Sequence, residues 1–399
     1  MPSRLLKILI PLTVAACATG NDIVPKSEWA ALKQARVTHC KDWPMNENDL
    51  EIRDIKISRV GGISFIVSAL RRSGEPVHYL MPFDGSISLD RQDQKVLAFG
   101  KKGVPLGASI VNGTPVAWLA QNDVDGNGSV EVRSLIDNVV MSKAKIPGHM
   151  IQEGDAFPEG NGSWLLYKGV RALDDGSLEN TGGGAEMLAW SQMTSSGLSF
   201  KSIDKAAFKG SPRLAVRGDH ALVLWPETNK RDSRFQLKEF GEKGNVLSNS
   251  PISLQVKDLE GYAIAAMPNE YLLGYVEGDS LVGNASLQIS RFTTTDLGAK
   301  VVSSKRFPLA NQHVSDPMWI VNKGEAVLLV LTWVDEESTI ATFKVSASEV
   351  QGPVLSGVFR KGARIGGAFM DAKRNDLYTL MRNREGNTSR WQLCKVDRG

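Results

Sequence analysis

Asn322-Lys-Gly-Glu-Ala-Val-Leu-Leu-Val-Leu-Thr-Trp-Val334 is the stretch of sequence that decides the fold. A polar turn containing glycine leads into the apolar run Ala326–Val334, and a segment of alternating polarity follows at Thr339–Phe343. Turn residues of this kind supply the positive φ angles that hairpins need. A short apolar run fits a strand buried on both faces, and alternation fits a strand with one buried face. The stretch therefore predicts an antiparallel hairpin.

The same pattern occurs seven times along the chain. The apolar strands begin at Phe65, Val116, Trp164, Ala221, Tyr271, Ala326 and Leu377, at intervals of 51, 48, 57, 50, 55 and 51 residues. The alternating partner strands begin at Val77, Val130, Ala185, Arg234, Ser286, Thr339 and Arg390. Repetition at a fixed period of about 50 residues is typical of proteins built from stacked supersecondary units.

Seven units with about four strands each predict an all-β fold, a seven-bladed β-propeller. Radial repetition protects the edges of the sheets, which suits strands as apolar as these. The propeller is predicted to span residues 36–399, with blades beginning near residues 52, 104, 148, 208, 258, 314 and 363. The alternative is a pair of β-sandwiches whose regular spacing is accidental.

Cys40 and Cys394 predict how the ring closes. The last unit ends on its third strand at Cys394, while Val37–Trp43 resembles a spare strand ahead of the first unit. We expect this N-terminal strand to complete the last blade, with a Cys40–Cys394 disulfide joining the two strands, as is common outside the cytoplasm. The alternatives are two buried free thiols or a metal site, although no cluster of His or Cys accompanies either residue.

Cys17 predicts a lipid anchor. Arg4 and Lys7 precede the apolar segment Ile8–Val14, and Ala15-Ala16 lie directly before the cysteine. This arrangement resembles the lipobox of bacterial lipoproteins, which implies a signal peptide over residues 1–16, acyl chains such as palmitate on Cys17, and a tether over residues 17–35. In lipoproteins of this type, Asp after the lipidated cysteine usually causes retention at the inner membrane. This chain has Ala18 there, which resembles lipoproteins that are sorted to the outer membrane, on its periplasmic or external side. The alternative is an ordinary secretory signal.

Composition excludes several classes of function. The formal net charge of the chain is +3, and Arg4 and Lys7 of the leader supply two of these charges, so no strong global field favours nucleic acid or an acidic membrane. The five histidines are not spaced as ligand pairs, and no serine occupies a Gly-x-Ser-x-Gly elbow. We therefore assign no catalytic residues, and the sequence favours a function other than catalysis.

Asp123-Val-Asp-Gly-Asn-Gly-Ser-Val-Glu131 is the sharpest local motif. Its oxygen-bearing side chains are Asp123, Asp125, Asn127, Ser129 and Glu131. Oxygen ligands at this spacing suit Ca²⁺, although Ser134 stands where an EF-hand has its bidentate glutamate. The motif resembles the Asp-rich calcium hairpins of integrin α-subunit propellers, which implies a structural Ca²⁺. The alternative is a solvated hairpin turn that uses the same residues for backbone reasons.

The loops between blades carry an excess of positive charge. We predict a ligand- or partner-binding face formed by Lys101, Lys102, His149, Lys209, His313, Arg360, Lys361 and Arg364. A basic surface could receive an anionic ligand or an acidic segment of a partner. The alternative is that these loops are simply polar, as loops usually are.

The predicted function is that of a monomeric, membrane-anchored scaffold that binds an envelope protein or polysaccharide. In its plan the chain resembles the propeller lipoprotein of the outer-membrane protein assembly machine, a likeness of architecture only. A calcium-containing hydrolase or lyase acting on an ester or glycan is the alternative, and its candidate carboxylates are Asp155, Glu260, Asp316 and Asp371. A purely structural envelope protein is a third hypothesis.

Overall fold

The structure of the protein is a computed structural model. The described residues are 22–23, 39–43, 50–83, 95–97, 103–125, 127–146, 149–171, 185–194, 196–204, 211–218, 220–229, 231–241, 244–278, 285–295, 298–308, 313–314, 317–334, 337–346, 348–360, 362–385 and 388–396. Within these ranges there is no helix long and apolar enough to cross a membrane.

Two short strands, β1 (Asp22–Ile23) and β2 (Cys40–Asp42), precede the repeats. The first three blades are then formed in chain order. Blade 1 contains β3 (Leu50–Arg59), β4 (Ile63–Arg71), β5 (Pro76–Pro82) and β6 (Lys95–Val96). Blade 2 contains β7 (Val104–Val111), β8 (Thr114–Asn122), β9 (Gly128–Ser134) and β10 (Val140–Ile146). Blade 3 contains β11 (His149–Glu159), β12 (Gly162–Arg171), β13 (Ala185–Thr194) and β14 (Gly197–Asp204).

The remaining blades follow the same plan. Blade 4 contains β15 (Arg213–Arg217), β16 (His220–Asn229), β17 (Asp232–Phe240) and β18 (Val246–Lys257). Blade 5 contains β19 (Leu259–Ala266), β20 (Tyr271–Glu277), β21 (Ser286–Thr295) and β22 (Gly298–Pro308). Blade 6 contains β23 (His313–Val314), β24 (Met318–Asn322), β25 (Glu325–Val334), β26 (Glu337–Val345) and β27 (Val350–Arg360). Blade 7 contains β28 (Arg364–Asp371), β29 (Asp376–Glu385) and β30 (Thr388–Val396).

Within each blade neighbouring strands pair antiparallel in chain order, except that β23 and β24 of blade 6 both pair with β25 and together form its inner strand. The first strands of neighbouring blades contact one another, as β3 contacts β7 and β28, and β19 contacts β15 and β24. These first strands therefore surround the central axis, and the outermost strand of each blade lies at the rim, which is the last strand in blades 1 to 6 and β2 in blade 7. The seven-bladed propeller predicted from the repeats is confirmed.

The apolar strands supply the packing between blades, because their side chains are buried on both faces. The buried residues form seven clusters, each shared by two neighbouring blades. Six of these clusters join blades that are consecutive in the chain. The seventh joins the last blade to the first, and in it Phe65 lies 5.6 Å from Phe369, ring centre to ring centre.

β2 completes blade 7, as the spare strand near the N-terminus predicts. It pairs antiparallel with β30, Cys40 lies opposite Cys394, and the two cysteines form a disulfide. The next residue after this strand, Trp43, donates its backbone N–H to the carbonyl of Trp391 and is buried in the cluster between blades 7 and 1. The predicted closure of the ring is confirmed.

The rim of blade 5 departs from a simple propeller. Ile252 of β18 pairs in parallel with Ala299 of β22, which joins the sheets of blades 4 and 5 at their outer edge. β1 also pairs in parallel with β22, with Asp22 opposite Lys305 and Ile23 opposite Arg306. The outer strand of blade 5 therefore has neighbours on both sides.

Candidate binding site at the loop face

The two faces of the ring are built from different connections. The connections between blades and the loops between second and third strands lie on one face, which we name the loop face. The hairpins between first and second strands and the turns between third and fourth strands lie on the opposite face, which we name the turn face. Because every inner strand runs from the loop face to the turn face, the start of an inner strand lies at the mouth of the central channel on the loop face.

The predicted partner-binding residues lie on the loop face as far as the structure describes them. His149 begins β11, His313 begins β23, Arg360 ends β27, and Arg364 begins β28. The side chain of Arg364 is exposed. The remaining four residues, Lys101, Lys102, Lys209 and Lys361, lie outside the described residues.

Arg364 lies directly opposite Arg382 on the neighbouring strand. Both side chains are exposed, and among the described residues neither guanidinium pairs with a carboxylate. Arg382 donates from Nε to the Ser389 hydroxyl at 3.0 Å and stacks 5.7 Å above the ring of Trp391. Like charges directly opposite on paired strands destabilise a sheet, so this pair costs stability unless an anion lies between them. We name Arg364 and Arg382 the arginine pair.

Trp391 and a glycine hold Arg382 in place. Trp391 is opposite Arg382 on β30 and is buried. A Cβ atom on Gly366 would lie 2.5 Å from Cζ3 of this indole, so only glycine lets the ring pack there. The indole face is thus fixed beneath the Arg382 guanidinium. This cation–π contact restricts the Arg382 side chain before any ligand is present, so less conformational entropy is lost on binding.

A lysine reaches across the channel below this mouth. The Lys56 ammonium on β3 lies 2.6 Å from Asp155 Oδ1 on β11 and also donates to the Gly154 carbonyl. These strands belong to blades 1 and 3, so the ion pair passes over the inner strand of blade 2. The Lys56 side chain is largely covered, whereas the Asp155 carboxylate is 60% exposed. The channel therefore presents an accessible carboxylate with a fixed cation beside it.

The other candidate carboxylates do not join Asp155. Glu260 is exposed near the start of β19, and Asp371 lies at the far end of β28, at the turn face. Asp371 Oδ1 accepts the backbone N–H of Lys373 at 3.0 Å, as a turn residue does. Asp316 lies outside the described residues.

The Asp123–Glu131 motif forms the loop between the second and third strands of blade 2, on the loop face. Asp123 Oδ1 accepts the backbone N–H groups of Asn127 at 2.7 Å and Asp125 at 3.0 Å, and the Asn127 hydrogen bond is the main cause of its lowered pKa. Glu131 lies on β9 and pairs with Arg133 at 3.2 Å and Lys143 at 3.0 Å.

Two of the predicted calcium ligands therefore have other partners. The Glu131 carboxylate is engaged by cations, and the Ser129 hydroxyl donates to the Gln121 carbonyl at 3.3 Å. The described part of the chain contains no group of three or more His, Cys, Asp or Glu side chains able to hold a metal. A calcium ion at Asp123, Asp125 and Asn127 stays a prediction.

An open cleft of about 770 Å³ lies at the loop-face end of blade 4. It is lined by Pro226, Glu227, Thr228, Asn229, Asp232, Arg234 and Gln255. Glu227 accepts a hydrogen bond from Gln236 Nε2 at 2.9 Å. The cleft is open and is lined by side chains of both signs of charge. It is therefore a polar part of the loop face and not an enclosed pocket that would select one ligand.

The sequence did not reveal Arg382, Trp391 or Lys56 as site residues. Arg382 follows the apolar part of β29, and its position opposite Arg364 depends on the bulge between Ile365 and Gly367. The available signal was the charge itself, because an arginine that directly follows the buried run Leu377–Met381 marks the point at which β29 becomes exposed to solvent.

Comparisons with known proteins give distant structural likenesses only. No known protein-family profile matches the sequence, and neither does any characterised protein. Solved structures with a similar course of the chain include an ulvan lyase of polysaccharide lyase family PL25, at 10% identity and TM-score 0.48 over 88% of this chain and 94% of that one. The uncharacterized protein lmo1340 from Listeria monocytogenes EGD-e has 12% identity and TM-score 0.47 over 87% and 96%.

A prolyl endopeptidase is similar at 11% identity and TM-score 0.45, over 88% of this chain. The present chain spans about half the length of that enzyme, 51%. Likenesses this remote carry no argument about activity, and the fold assignment rests on the strand pairing described above.

Proposed function

We propose that this chain is a membrane-anchored envelope lipoprotein that acts as a binding scaffold for an anionic group on an envelope protein or polysaccharide. The arginine pair supports this proposal most directly. Two arginines occupy paired positions on β28 and β29 near the channel mouth, and the described residues supply no carboxylate for either. A bound carboxylate, sulfate or phosphate would remove their repulsion and accept their forked N–H groups.

The arginine pair is tested by charge-neutral substitution. Arg364→Gln/Arg382→Gln in the full chain should weaken binding of polyglutamate and polygalacturonate by about tenfold or more, since a hydrogen bond to a charged group contributes about 1.5–3 kcal/mol. Arg231→Gln is the matched control, because Arg231 is 87% exposed on the same face in blade 4. Fluorescence anisotropy of labelled polymers at low and moderate salt measures the effect.

Equal weakening in the Arg231→Gln control would mean that the ligands sense only the general charge of the loop face, and the proposal would fail. The two probes also separate the classes of partner. Preference for polyglutamate supports an acidic protein segment, and preference for polygalacturonate supports an anionic polysaccharide. Crosslinking and capture from intact envelopes then names the partner.

The anchor is tested at Cys17. Labelled palmitate should be incorporated into the parent chain and not into Cys17→Ser, and the variant should move from the membrane fraction to the soluble fraction. Incorporation of label into both chains, or into neither, contradicts lipidation at this residue.

The second candidate function is a hydrolase or lyase that acts on an ester or glycan. The observation that favours it is the accessible Asp155 carboxylate beside the Lys56 ammonium, because a channel acid next to a cation is a common arrangement for proton transfer. Turnover of ester and glycan substrates, with and without Ca²⁺, should be abolished by Asp155→Asn if this function is correct. Turnover that survives the substitution, or none in the parent, removes it in favour of a binding or purely structural role.

A further inference from the structure

Exposed apolar side chains are concentrated on the turn face. Of the ten large apolar side chains exposed within the described residues, seven lie on this face and only Val124 lies on the loop face. Blade 2 carries five of the seven, Ile110, Ile136, Val139, Val140 and Met141. Folded monomers rarely group exposed apolar residues in this way unless the surface meets a partner or a membrane.

The apolar turn of blade 2 projects from a rigid base. Ile136 and Val139 are 69% and 56% exposed at the tip of the turn between β9 and β10. The turn is fixed by its backbone, because the N–H of Ser134 donates to the Val139 carbonyl at 2.9 Å and the N–H of Ile136 donates to the Ser134 hydroxyl at 3.2 Å. Ordering these side chains at an interface therefore requires little loss of backbone entropy.

A second apolar turn lies on the same face of blade 4. Val246 and Leu247 begin β18 and are about half exposed. Blades 2 and 4 are separated by blade 3, so the two apolar turns are distinct points on one side of a disc rather than one continuous patch. Separate points on a common face suit contact with a plane, whereas a protein partner usually meets a single continuous patch.

The turn face also carries exposed cations on the opposite half of the ring. Arg59, Lys323 and Lys373 are exposed at the hairpins between the first and second strands of blades 1, 6 and 7. Lys95 flanks the apolar turn of blade 2, where it donates to the Leu135 carbonyl at 2.9 Å, and Asp137 is an exposed acid at the tip of the same turn. Basic side chains near an anionic bilayer contribute about 1 kcal/mol each in attraction.

The direction of β1 agrees with a membrane below the turn face. β1 runs parallel to β22, which begins at the turn face, so the chain enters β1 at the end nearer to that face. Cys17 precedes Asp22 by five residues, which can span about 17 Å. Asp22 pairs with Lys305 in the loop-face half of β22, so the tether must run back along this strand to bring a lipid on Cys17 toward the turn face.

From these observations we infer that the turn face docks on an anionic lipid bilayer, with the apolar turns of blades 2 and 4 inserted among the lipid headgroups and the cations of blades 1, 6 and 7 resting on them. The inference rests on the proposed function only in one respect, namely that the lipid anchor on Cys17 brings the protein to a membrane. Acyl chains on Cys17 hold the protein at the membrane, and contact of the turn face with the headgroups adds to this attachment and orients the ring. The loop face and its arginine pair then point away from the membrane.

The test uses the full chain with Cys17→Ser, which cannot be lipidated. This chain should bind vesicles of phosphatidylethanolamine and phosphatidylglycerol in a flotation assay, more weakly at high salt and more weakly still to phosphatidylcholine alone. Ile136→Asp/Val139→Asp should reduce the partition coefficient by about tenfold or more, since charged side chains are strongly disfavoured among lipids. Val124→Asp is the matched control, because Val124 is 90% exposed on the loop face of the same blade.

Insertion is measured separately by quenching with brominated lipids. The tryptophan introduced by Ile136→Trp should be quenched by the brominated lipids, because it lies among them. The tryptophan introduced by Val124→Trp should not be quenched. Vesicle binding that is absent in the Cys17→Ser chain, or lost equally in both aspartate variants, overturns the inference. So does a dimer in sedimentation velocity that Ile136→Asp/Val139→Asp dissociates without any change in vesicle binding. Failure of palmitate labelling would instead contradict the anchor and leave the vesicle result standing.

Discussion

At the scale of single residues, two buried tyrosines differ in whether the hydroxyl has a partner. Tyr271 donates to Glu239 Oε1 at 2.8 Å across the interface of blades 4 and 5, whereas the Tyr167 hydroxyl has no hydrogen-bond partner within the described ranges. Tyr271→Phe should lower the free energy of unfolding by about 1.5–3 kcal/mol, because it removes a donor from a buried carboxylate. Tyr167→Phe should change it by less than about 0.5 kcal/mol.

Urea unfolding at neutral pH checks both tyrosine variants. Equal losses would mean that ring packing rather than the hydroxyl determines the effect. Burial and the Glu239 carboxylate raise the pKa of Tyr271, so the neutral phenol is favoured in the folded state. Its contribution is complete below pH 10 and is lost as the pH rises further, which Tyr271→Phe should abolish.

His78 makes the fold sensitive to acid. Burial lowers its pKa to about 4, and its Nδ1 lies 2.9 Å from the Ser68 hydroxyl. The folded state therefore binds fewer protons than the unfolded chain between pH 4 and 6.5, and stability falls as the pH decreases through this window. The loss should reach about 3 kcal/mol. The parent and His78→Gln should differ in the slope of unfolding free energy against pH, and parallel curves would contradict the assignment.

At the scale of elements, β2 is held by a covalent bond and by polar contacts. Besides the disulfide, Asp42 accepts a forked pair of hydrogen bonds from Arg390, which lowers the pKa of the Asp42 carboxyl. Cys40→Ser/Cys394→Ser should lower the free energy of unfolding by about 4–5 kcal/mol, since the bond closes a loop of 354 residues in the unfolded chain. Asp42→Asn should cost less than about 1 kcal/mol, because that ion pair is exposed.

Thermal and urea unfolding of Cys40→Ser/Cys394→Ser and of Asp42→Asn show whether the disulfide or the polar contacts of β2 contribute more to closing the ring. If the cysteine variant loses no more than Asp42→Asn, strand pairing and Trp43 alone close the ring, and the entropic account of the disulfide is wrong for this protein.

Elements were predictable where burial is uniform along a strand. The apolar runs at Val116 and Ala326 predicted β8 and β25 because both faces of each strand are covered by neighbouring blades. The link between β18 and β22 was not predictable. It depends on a bulge between Arg234 and Gln236 that carries Ile252 toward Ala299, and a bulge leaves no mark in the polarity of the sequence.

At the scale of the whole molecule, the ring was predictable and the contacts across it were not. Seven equal repeats and a spare strand require a closed ring, because an open one would expose the apolar faces of its first and last blades. Lys56 and Asp155 are 99 residues apart and meet only when three inner strands stand around one axis. Their pairing follows from the geometry of closure, so no local pattern in the sequence records it.

Closure also identifies the interface at which the ring should open first. Six interfaces join blades that the chain connects directly, and the interface of blades 7 and 1 relies on its apolar cluster, β2 and the disulfide. In Cys40→Ser/Cys394→Ser, local opening there becomes possible without global unfolding. Amide hydrogens of β30 should then exchange at least about tenfold faster than in the parent, while those of β25 in blade 6 change less.

Hydrogen exchange followed by mass spectrometry resolves the two strands in one sample, so β25 serves as the internal control. Faster exchange confined to β2, β28, β29 and β30 means that blade 7 separates from blade 1 as a unit. If β25 accelerates as much as β30, the ring opens only by unfolding throughout, and its cooperativity comes from the seven apolar clusters together rather than from the bond that closes it.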